Sequence, residues 1–450
     1  MYLLYSFLLT LGFVVLLPRF AIDALRNGKY VTGLSQRLGD IPEVNPNGRR
    51  VIWLHCVSVG EAQAAQSLVR RLHQAFPDFD LVVSTTTVTG QRLAQSIFRE
   101  QASAVFYFPI DWTWTVRRVL GKLNPAAILI METELWPNLF RAAQNRNIPV
   151  GLLNGRISNK SFKRYKKIRG FIARVLDDVS IAAMQSEQDA TRIRELGLDE
   201  SRTHATGNLK FDSAGAAADE TLANEIRERF GFADGRPLII AASTHEPEEA
   251  VVLDALRTIR QTGKHIRLLL APRHPERFNE VASLLAACEF SFARRSEVPN
   301  TNDVLADIVL LDSIGELSAV YPLADIAFVG GSIAKHGGHN IIEPAAHGVC
   351  TVTGPHMWNF AAITKAMMAE GGLIQLHETL EPAAELAQVI QELLSDDERR
   401  VQIGEHARIV CESNRGATTR TLSLLATILD ASASPAREAS FSTVPAATAK

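Results

Sequence analysis

A chain of 450 residues is too long for a single hydrophobic core, so two or three domains are expected. Its hydrophobic and charged fractions, 46% and 21%, are those of an ordinary globular protein. The cysteines are scattered and form no Cys-x-x-Cys pair: Cys56, Cys288, Cys350 and Cys411. This spacing argues against a disulfide framework and against a cysteine zinc site, and it fits a reducing compartment.

The net charge of −2 hides an uneven distribution. Residues 1–210 contain 27 Lys and Arg against 17 Asp and Glu, whereas the remainder contains 20 against 32. A basic first half and an acidic second half indicate different partners for the two halves.

Residues 1–18 form an apolar run without a charged side chain, and Arg19 is the first charged residue. As a helix this run would be about 27 Å long, close to the thickness of a bilayer core. No basic segment precedes it and no cleavage site follows, which predicts an uncleaved membrane anchor over residues 1–20. The basic residues that follow it place the rest of the chain in the cytoplasm. The alternative is an apolar helix that lies on the membrane or packs on the protein.

From residue 50 onward, short apolar runs alternate with stretches of helical length. In the first half the predicted strands are 51–59, 81–86, 104–108, 126–131, 148–153 and 179–184. A linker near residues 213–224 separates them from a second set: 238–243, 266–271, 308–311, 326–329 and 350–353. Helices are predicted at about 380–395, 398–412 and 416–430, and a disordered tail from Ala431. The rhythm predicts an α/β protein with two doubly wound, Rossmann-like domains facing a cleft.

A glycine-rich loop, Gly330–Gly348, follows the predicted strand 326–329. Asn340 is a candidate helix N-cap, with Glu343 three residues later and Pro344 in the first turn. A loop of this kind before a helix N-terminus directs backbone N–H groups at a phosphate, and Glu343 could accept hydrogen bonds from ribose. The alternative is a flexible turn followed by an ordinary capping box.

Acidic residues follow two predicted strands of the first half. Glu61 stands at a helix start, where a carboxylate can act as a general base on an acceptor hydroxyl. Because Ser58 precedes it by three residues, a capping box explains it equally well. Glu132 and Glu134 follow the strand 126–131, where they either share one face of an extended segment or complement a helix dipole.

Cations also follow predicted strands. Arg156 and Lys210 in the first half, and Arg273 in the second, can each neutralise a phosphate or a sugar carboxylate, although a solvated surface cation is the commoner role. Pro272 fixes the backbone before Arg273. The backbone amides around Ile314, Gly315 and Glu316 can line the same site. We find no metal-binding motif in the sequence.

A basic run lies between Lys160 and Arg174, with aromatic and aliphatic residues interleaved. It predicts a basic amphipathic helix at an anionic membrane surface. Binding of nucleic acid is less consistent with an N-terminal membrane segment, and a solvated helix face is the remaining alternative.

Together these motifs resemble the 3-deoxy-D-manno-octulosonic acid (Kdo) transferases of lipopolysaccharide assembly. The matching segments run in order along nearly the whole chain: Ser58–Glu61, Met131–Asn138, Asn154–Arg156, Gly207–Asp212, Ser243–Glu246, Pro272–Arg277 and Gly330–Glu343. Each motif alone is weak, but seven in register behind an apolar N-terminus are specific.

The resemblance implies a GT-B glycosyltransferase that moves Kdo from CMP-Kdo to a lipid A precursor with inversion, without a metal or another cofactor. Glu61 matches the general base of the family, and Glu132 and Lys210 match positions thought to stabilise the transition state. The positions that match the CMP-binding set are Pro272, Arg273, Ile314, Gly315, Glu316, Asn340 and Glu343. We therefore expect an acceptor domain over residues 21–212 and a donor domain over residues 213–430, on the cytoplasmic side of the bacterial inner membrane.

Two other functions remain open at this stage. One is a GT-B enzyme that uses a UDP-sugar, which uridine nucleotides would stabilise in place of cytidine nucleotides. The other is a membrane-tethered protein that binds a nucleotide without catalysing transfer.

Overall fold

A computed structural model of the protein describes residues 1–27, 32–44, 48–213 and 219–431. The chain divides into two compact units, one formed by Met1–Ser213 with Arg415–Lys450 and the other by Ala214–Asn414. Each unit is built on a parallel β-sheet with helices on both faces, as the alternating pattern predicted.

Over the described residues the first sheet has seven parallel strands in the order β3-β2-β1-β4-β5-β6-β7. They are β1 Arg50–Cys56, β2 Phe79–Thr85, β3 Ala102–Tyr107, β4 Ala127–Met131, β5 Val150–Gly155, β6 Ile181–Met184 and β7 Thr203–Ala205. The helices of this unit are α1 Tyr2–Asn27, α2 Leu34–Arg37, α3 Val59–Ala75, α4 Val88–Ile97, α5 Thr113–Leu123, α6 Pro137–Gln144, α7 Asn159–Lys167, α8 Arg169–Leu176, α9 Glu187–Leu196, α10 Lys210–Ser213 and, from the end of the chain, α19 Ala417–Ala431.

Strand β1 shows why the sheet is covered on both faces. Val51 and Trp53 point into one apolar cluster, whereas Ile52 and Leu54 point into another on the opposite face. All four side chains are buried. Successive residues of a strand alternate between faces, so a continuous apolar run requires helices on both sides.

Helix α19 belongs to the first unit, although residues 213–430 were predicted to form the second domain. Leu425 and Leu429 complete the apolar cluster around α3. The Asp212 carboxylate accepts the backbone N–H groups of Gly416 at 2.7 Å and Thr418 at 2.5 Å. The boundary was wrong because the periodicity of α19 shows an apolar face but not which sheet that face covers. From residue 432 onward, the predicted tail lies outside the described residues.

One face of helix α1 packs against the rest of the first unit. The hydroxyl of Tyr5 donates to buried Asp111 at 3.0 Å, and that of Tyr2 donates to Asp178 at 2.8 Å. Phe13 meets Trp112 edge to face, with ring centroids 5.0 Å apart. Among the described residues, no helix is both long enough and apolar enough to cross a membrane. The predicted anchor over residues 1–20 stays a prediction.

The second sheet, over the described residues, also has seven parallel strands, in the order β10-β11-β9-β8-β12-β13-β14. They are β8 Leu238–Thr244, β9 Arg267–Pro272, β10 Phe292–Arg294, β11 Ile308–Leu310, β12 Ile326–Val329, β13 Cys350–Thr353 and β14 Ile374–Gln375. The helices are α11 Glu220–Phe230, α12 Glu248–Gln261, α13 Phe278–Ala286, α14 Leu317–Val320, α15 Ile342–Ala346, α16 Ala361–Ala369, α17 Pro382–Leu393 and α18 Asp397–Ser413.

Every strand predicted from an apolar run is present, with each end within three residues of the prediction, and β12 and β13 have the predicted ends. The sequence analysis missed β7, β10 and β14, which have two or three residues each and lie at or next to the edges of the sheets. Runs this short carry too few apolar residues to show a period.

Candidate active site

Glu61 lies in the first turn of α3, directly beyond the carboxyl end of β1. Its carboxylate accepts the backbone N–H of Val57 at 2.7 Å and the hydroxyl of Ser58 at 3.0 Å. Ser58 occupies the N-cap position, but its side chain caps no backbone N–H. The predicted capping box is therefore incomplete, because the Ser58 hydroxyl donates to the Glu61 carboxylate and accepts no backbone N–H of the helix.

The environment of Glu61 raises the pKa of its carboxyl to about 8. Burial is the largest cause, because only 7% of the residue is exposed. The negative charge of Glu132 acts in the same direction, and the two hydrogen bonds oppose it. Once deprotonated, such a carboxylate is a stronger base than an exposed glutamate.

Glu132 follows β4, the neighbour of β1 in the sheet. Its φ of 56° lies in the left-handed region, which few residues with a β-carbon occupy. The backbone N–H of Glu132 donates to Leu153 on the neighbouring strand β5 at 2.8 Å. The unusual backbone conformation ends the strand and keeps Glu132 close enough to affect the pKa of Glu61.

Lys210 stands at the start of α10, and its position depends on Asn154 at the end of β5. The Oδ1 atom of Asn154 accepts the backbone N–H of Leu209 at 3.0 Å. Asn154 is buried and also left-handed, with a φ of 54°. Burial lowers the pKa of Lys210, and the charge of Glu132 partly restores it. Glu61 acts on Lys210 in the same direction, so the three predicted catalytic residues form one electrostatic group.

The second unit places the predicted donor-binding residues at or beyond the carboxyl ends of β9, β11 and β12. Buried Pro272 ends β9, and exposed Arg273 follows it. The amide of Asn340 donates to the Glu343 carboxylate at 2.9 Å. Burial raises the pKa of Glu343, while Asn340 and nearby Arg273 lower it. Arg273, Asn340 and Glu343 therefore lie together.

The turn after β11 is open at its tip. Ile314 is 79% exposed, and Gly315 has a φ of 92°. The carboxylate of Glu316 accepts two hydrogen bonds from Arg295, at 2.9 and 3.0 Å, and one from Ser313 at 2.6 Å. The Glu316 side chain is therefore bound to residues of its own unit. The backbone of the turn is the part that can contact a ligand.

The amides at the start of the glycine-rich loop, which were predicted to face a phosphate, bind a carboxylate of the protein instead. Glu248, fully buried at the start of α12, accepts hydrogen bonds from backbone N–H groups at 2.7–3.1 Å: those of His245, Gly331, Ser332, Ile333 and Ala334. A concave set of amides attracts an anion, and here the anion is internal. The sequence analysis missed this role because acids at a helix start are common.

The helix after the loop also differs from the prediction. Helix α15 has five residues, and Ile341 is its N-cap, one residue after the predicted Asn340. The Oδ1 atom of Asn340 still accepts the backbone N–H of Ile342, at 3.1 Å. The loop is closely packed rather than flexible, because a β-carbon on Gly338 would lie 2.1 Å from the sulfur of Met357.

The structure adds a histidine cluster that the sequence analysis left without a role. The Nε2 atoms of His245 and His339 are 2.7 Å apart, and the rings of His274 and His336 lie against His245. Within the described ranges, no three histidine, cysteine or acidic side chains are arranged to hold a metal ion. The motifs Ser243–Glu246 and Pro272–Arg277 contained two of these histidines, but only the fold brings them together.

The fold class follows from comparison with solved structures. The fold matches a glycosyltransferase from Rickettsia africae at a TM-score of 0.55 and 15% identity, over 85% of this chain and 99% of that one. It also matches a putative UDP-N-acetylglucosamine 2-epimerase from Listeria monocytogenes at 0.57 and 14%, over 85% and 98%. Two Rossmann-like units of this kind define the GT-B fold.

The sequence gives the family. Residues 32–213 match the model of the 3-deoxy-D-manno-octulosonic-acid transferase (kdotransferase) family. The chain is 36% identical to the 3-deoxy-D-manno-octulosonic acid transferase of Haemophilus influenzae, over 95% of this chain and 98% of that protein. Its identity to the Bordetella pertussis transferase is 33%, over 83% and 86%. The chain belongs to the Kdo transferase family of glycosyltransferases, as the motifs predicted.

Proposed function

We propose that the protein transfers Kdo from CMP-Kdo to the glucosamine disaccharide of a lipid A precursor, with inversion and with Glu61 as the general base. The observation that carries this proposal is the buried Glu61 carboxyl, whose pKa of about 8 is set by burial and by Glu132. A general base works best when its pKa lies near the working pH.

In the proposed reaction, the hydroxyl oxygen of the acceptor attacks the anomeric carbon of Kdo. Glu61 takes the hydroxyl proton, and CMP leaves with the electron pair of the broken bond. Lys210 balances the negative charge around Glu61 and Glu132, since both carboxylates raise its pKa against the effect of burial. A fixed cation beside the reacting groups stabilises charge that develops in the transition state.

The second unit supplies the nucleotide site. Arg273 provides the exposed cation for the phosphate, and Glu343, oriented by Asn340, accepts hydrogen bonds from the sugar or base of CMP. Pro272 and the backbone of Ile314, Gly315 and Glu316 complete the set. We propose no metal or other cofactor for the reaction.

The acceptor is a lipid, and helix α1 offers a surface for membrane contact. The face opposite Tyr2 and Tyr5 is exposed and apolar: Leu3 88%, Leu4 60%, Phe7 63%, Leu8 55%, Leu11 48%, Val14 57% and Val15 68%. Basic helix α7 lies on the same unit and carries exposed Lys160, Lys163, Arg164, Lys166 and Lys167. An apolar helix face together with a basic helix favours attachment to an anionic bilayer surface.

We therefore propose that α1 lies in the plane of the bacterial inner membrane on its cytoplasmic side. Its hydrogen bonds to Asp111 and Asp178 hold the helix against the unit. A helix held in this way places its apolar face in the bilayer surface and brings the first unit to the lipid acceptor.

A transfer assay with a matched variant tests the function. Full-length protein is mixed with CMP-Kdo, generated in situ, and a tetraacylated lipid A precursor in detergent, and mass spectrometry follows the lipid. We expect the mass of one or more Kdo units to be added, and Glu61→Gln to lower the rate by at least about 100-fold while CMP still binds. Exposed Glu100→Gln is the control. Full activity of Glu61→Gln would exclude Glu61 as the base.

A further inference from the structure

The histidine cluster of the second unit is centred on a close pair. The Nε2 atoms of His245 and His339 are 2.7 Å apart, a distance that requires one hydrogen between them. The two rings are parallel within 1°, with centroids 5.0 Å apart. While both rings are neutral, one ring therefore donates this hydrogen and the other accepts it. A further proton would have to bind a ring nitrogen outside this hydrogen bond.

The fold explains why the pair forms. His245 follows β8 and His339 lies in the loop after β12, and these strands are neighbours in the sheet. Glu248 joins the segment of His245 to the start of the loop that carries His339, since it accepts the N–H of His245 and of Gly331. A β-carbon on Gly331 would lie 2.8 Å from the ring of His339, so a glycine there lets the ring approach the loop.

Basic side chains lie near the pair on two segments of the second unit. Arg273, His274 and Arg277 come from the segment after β9, and His336 comes from the loop itself. Acidic side chains lie near these basic groups as well. Glu248 binds the loop amides, buried Glu249 pairs with Arg277 at 2.7 Å, exposed Glu276 lies 3.6 Å from His274, and Glu343 lies near Arg273.

Burial and these basic neighbours together keep both imidazoles of the pair neutral. Burial and the neighbouring cations lower the pKa of His245 to about 4 and that of His339 to about 3. An anion bound beside the pair would raise the pKa of both histidines and so favour protonation. Because the amides of Gly331–Ala334 already bind Glu248, an anion at this loop has to be neutralised by side chains.

We propose that His245 and His339 form an oxyanion site within the donor-binding region, and that the pair takes up one proton from solvent when an acidic group of the donor binds. The proposal rests on the proposed function, because it assumes an acidic nucleotide-sugar donor at this edge of the sheet. The oxyanion is either the phosphate of the nucleotide or the carboxylate of the sugar acid. No bond to carbon or phosphorus changes: a ring nitrogen of the pair forms an N–H bond with a proton that solvent gives up, and the bound pair is an imidazolium hydrogen-bonded to a neutral imidazole.

Calorimetry of the full-length protein in detergent tests the proposal. CMP, cytidine, and Kdo added to the cytidine-bound protein are titrated at several pH values between 6 and 8.5. Two phosphate-free buffers with different ionisation enthalpies give the number of protons taken up at each pH. His339→Gln and His245→Gln are compared with the control His265→Gln, an exposed histidine beyond the cluster.

We expect proton uptake on binding of an acidic ligand, with an affinity that rises by up to about tenfold per pH unit as the pH falls. Uptake with CMP assigns the site to phosphate, whereas uptake only after Kdo is added assigns it to carboxylate. Because CMP has an ionisable phosphate of its own, the loss of uptake in His339→Gln, with melting unchanged, isolates the histidine contribution.

Equal proton uptake in the wild type and in both cluster variants would overturn the proposal, as would no uptake with any ligand. If CMP binds and Kdo is transferred normally in that case, only the histidine site is rejected. If CMP does not bind at all, the donor assignment itself fails, and the histidine site fails with it.

Discussion

The carboxylate of Glu248 accepts the backbone N–H of Gly331 at 2.7 Å, joining α12 to the loop after the neighbouring strand β12. A β-carbon on Gly330 would lie 2.6 Å from the same carboxylate oxygen, so the glycine is required for this approach. The amides at the start of the glycine-rich loop thus bind a carboxylate of the protein, so the conformation of the loop is fixed before any ligand binds.

Replacement of Glu248 should unfold this loop. In Glu248→Gln the side chain amide would face at least two backbone N–H donors in a buried site, and the charge that strengthens the remaining hydrogen bonds would be lost. We expect a loss of about 2–4 kcal/mol of stability, measured by chemical denaturation followed by fluorescence. The control is Glu276→Gln, whose side chain is 75% exposed. A variant of wild-type stability would contradict the role assigned to Glu248.

Asn154 should act as a positioning residue for Lys210. Because Asn154 holds the backbone N–H of Leu209, Asn154→Ala frees the start of α10. We expect kcat to fall roughly tenfold, as loss of one buried hydrogen bond predicts, with little change in the KM for the donor. The matched control is Asn145→Ala, an exposed asparagine at the end of α6. An unchanged kcat, or an effect on the KM of the donor alone, would reject this role.

The pH dependence of transfer should report Glu61. A base must be deprotonated, so kcat/KM of the wild type should rise with pH and level off above about 8. Glu132→Gln removes a negative charge that raises the pKa of Glu61, and it should move the rising limb to lower pH even if the plateau falls. A limb at the same pH in both proteins would show that another group controls it.

The same carboxyl should lower stability at high pH. Its pKa in the folded protein, about 8, exceeds the ordinary glutamate value of 4.5, so the folded state binds the proton more tightly than the unfolded state. Stability should therefore fall as pH rises between these values, by at most about 1.4 kcal/mol per pH unit. Glu61→Gln lacks this dependence and should exceed the wild type most at pH 8. Parallel stability profiles from pH 5 to 8 would contradict the raised pKa.

Arg273 should control affinity for the nucleotide phosphate. Arg273→Ala should weaken CMP binding by about 10- to 100-fold, the range for a charge-assisted hydrogen bond, and leave cytidine binding nearly unchanged. Calorimetry with both ligands checks this, with Arg399→Ala, 51% exposed, as the control. Equal losses for CMP and cytidine would mean that Arg273 does not act on the phosphate. Stabilisation by UMP equal to that by CMP would favour a uridine donor.

Membrane attachment should depend on the outer face of α1 rather than on the whole helix. Deletion of residues 1–20 would also remove Tyr5, a partner of buried Asp111, whose pKa burial raises to about 7. The sharper variant replaces Leu3, Phe7 and Leu11 with glutamine. We expect it to stop sedimenting with vesicles that contain phosphatidylglycerol and to keep activity on detergent-dispersed acceptor. Val298→Gln, exposed on the second unit, is the control. If the triple variant still sediments, basic α7 is the stronger contact.

The order of the longer strands and of the helices can be read from the sequence, because each of these buried parallel strands is a local apolar run between turn residues. The sequence also determines where Glu61, Glu132, Lys210 and Arg273 stand, because each follows a strand whose end can be read locally. The family followed from seven motifs in register. These features need no knowledge of which strands are neighbours.

The partners of those residues depend on long-range packing. Glu248 and Gly331 are 83 residues apart, and His245 and His339 are 94 residues apart. Asp212 meets Gly416 across 204 residues and returns α19 to the first unit. No local period encodes such contacts, because they depend on which strands become neighbours and on which faces the helices cover. Local sequence thus places chemical groups along the chain, and the long-range packing of the sheets decides which carboxylate fills the loop and which imidazoles share a proton.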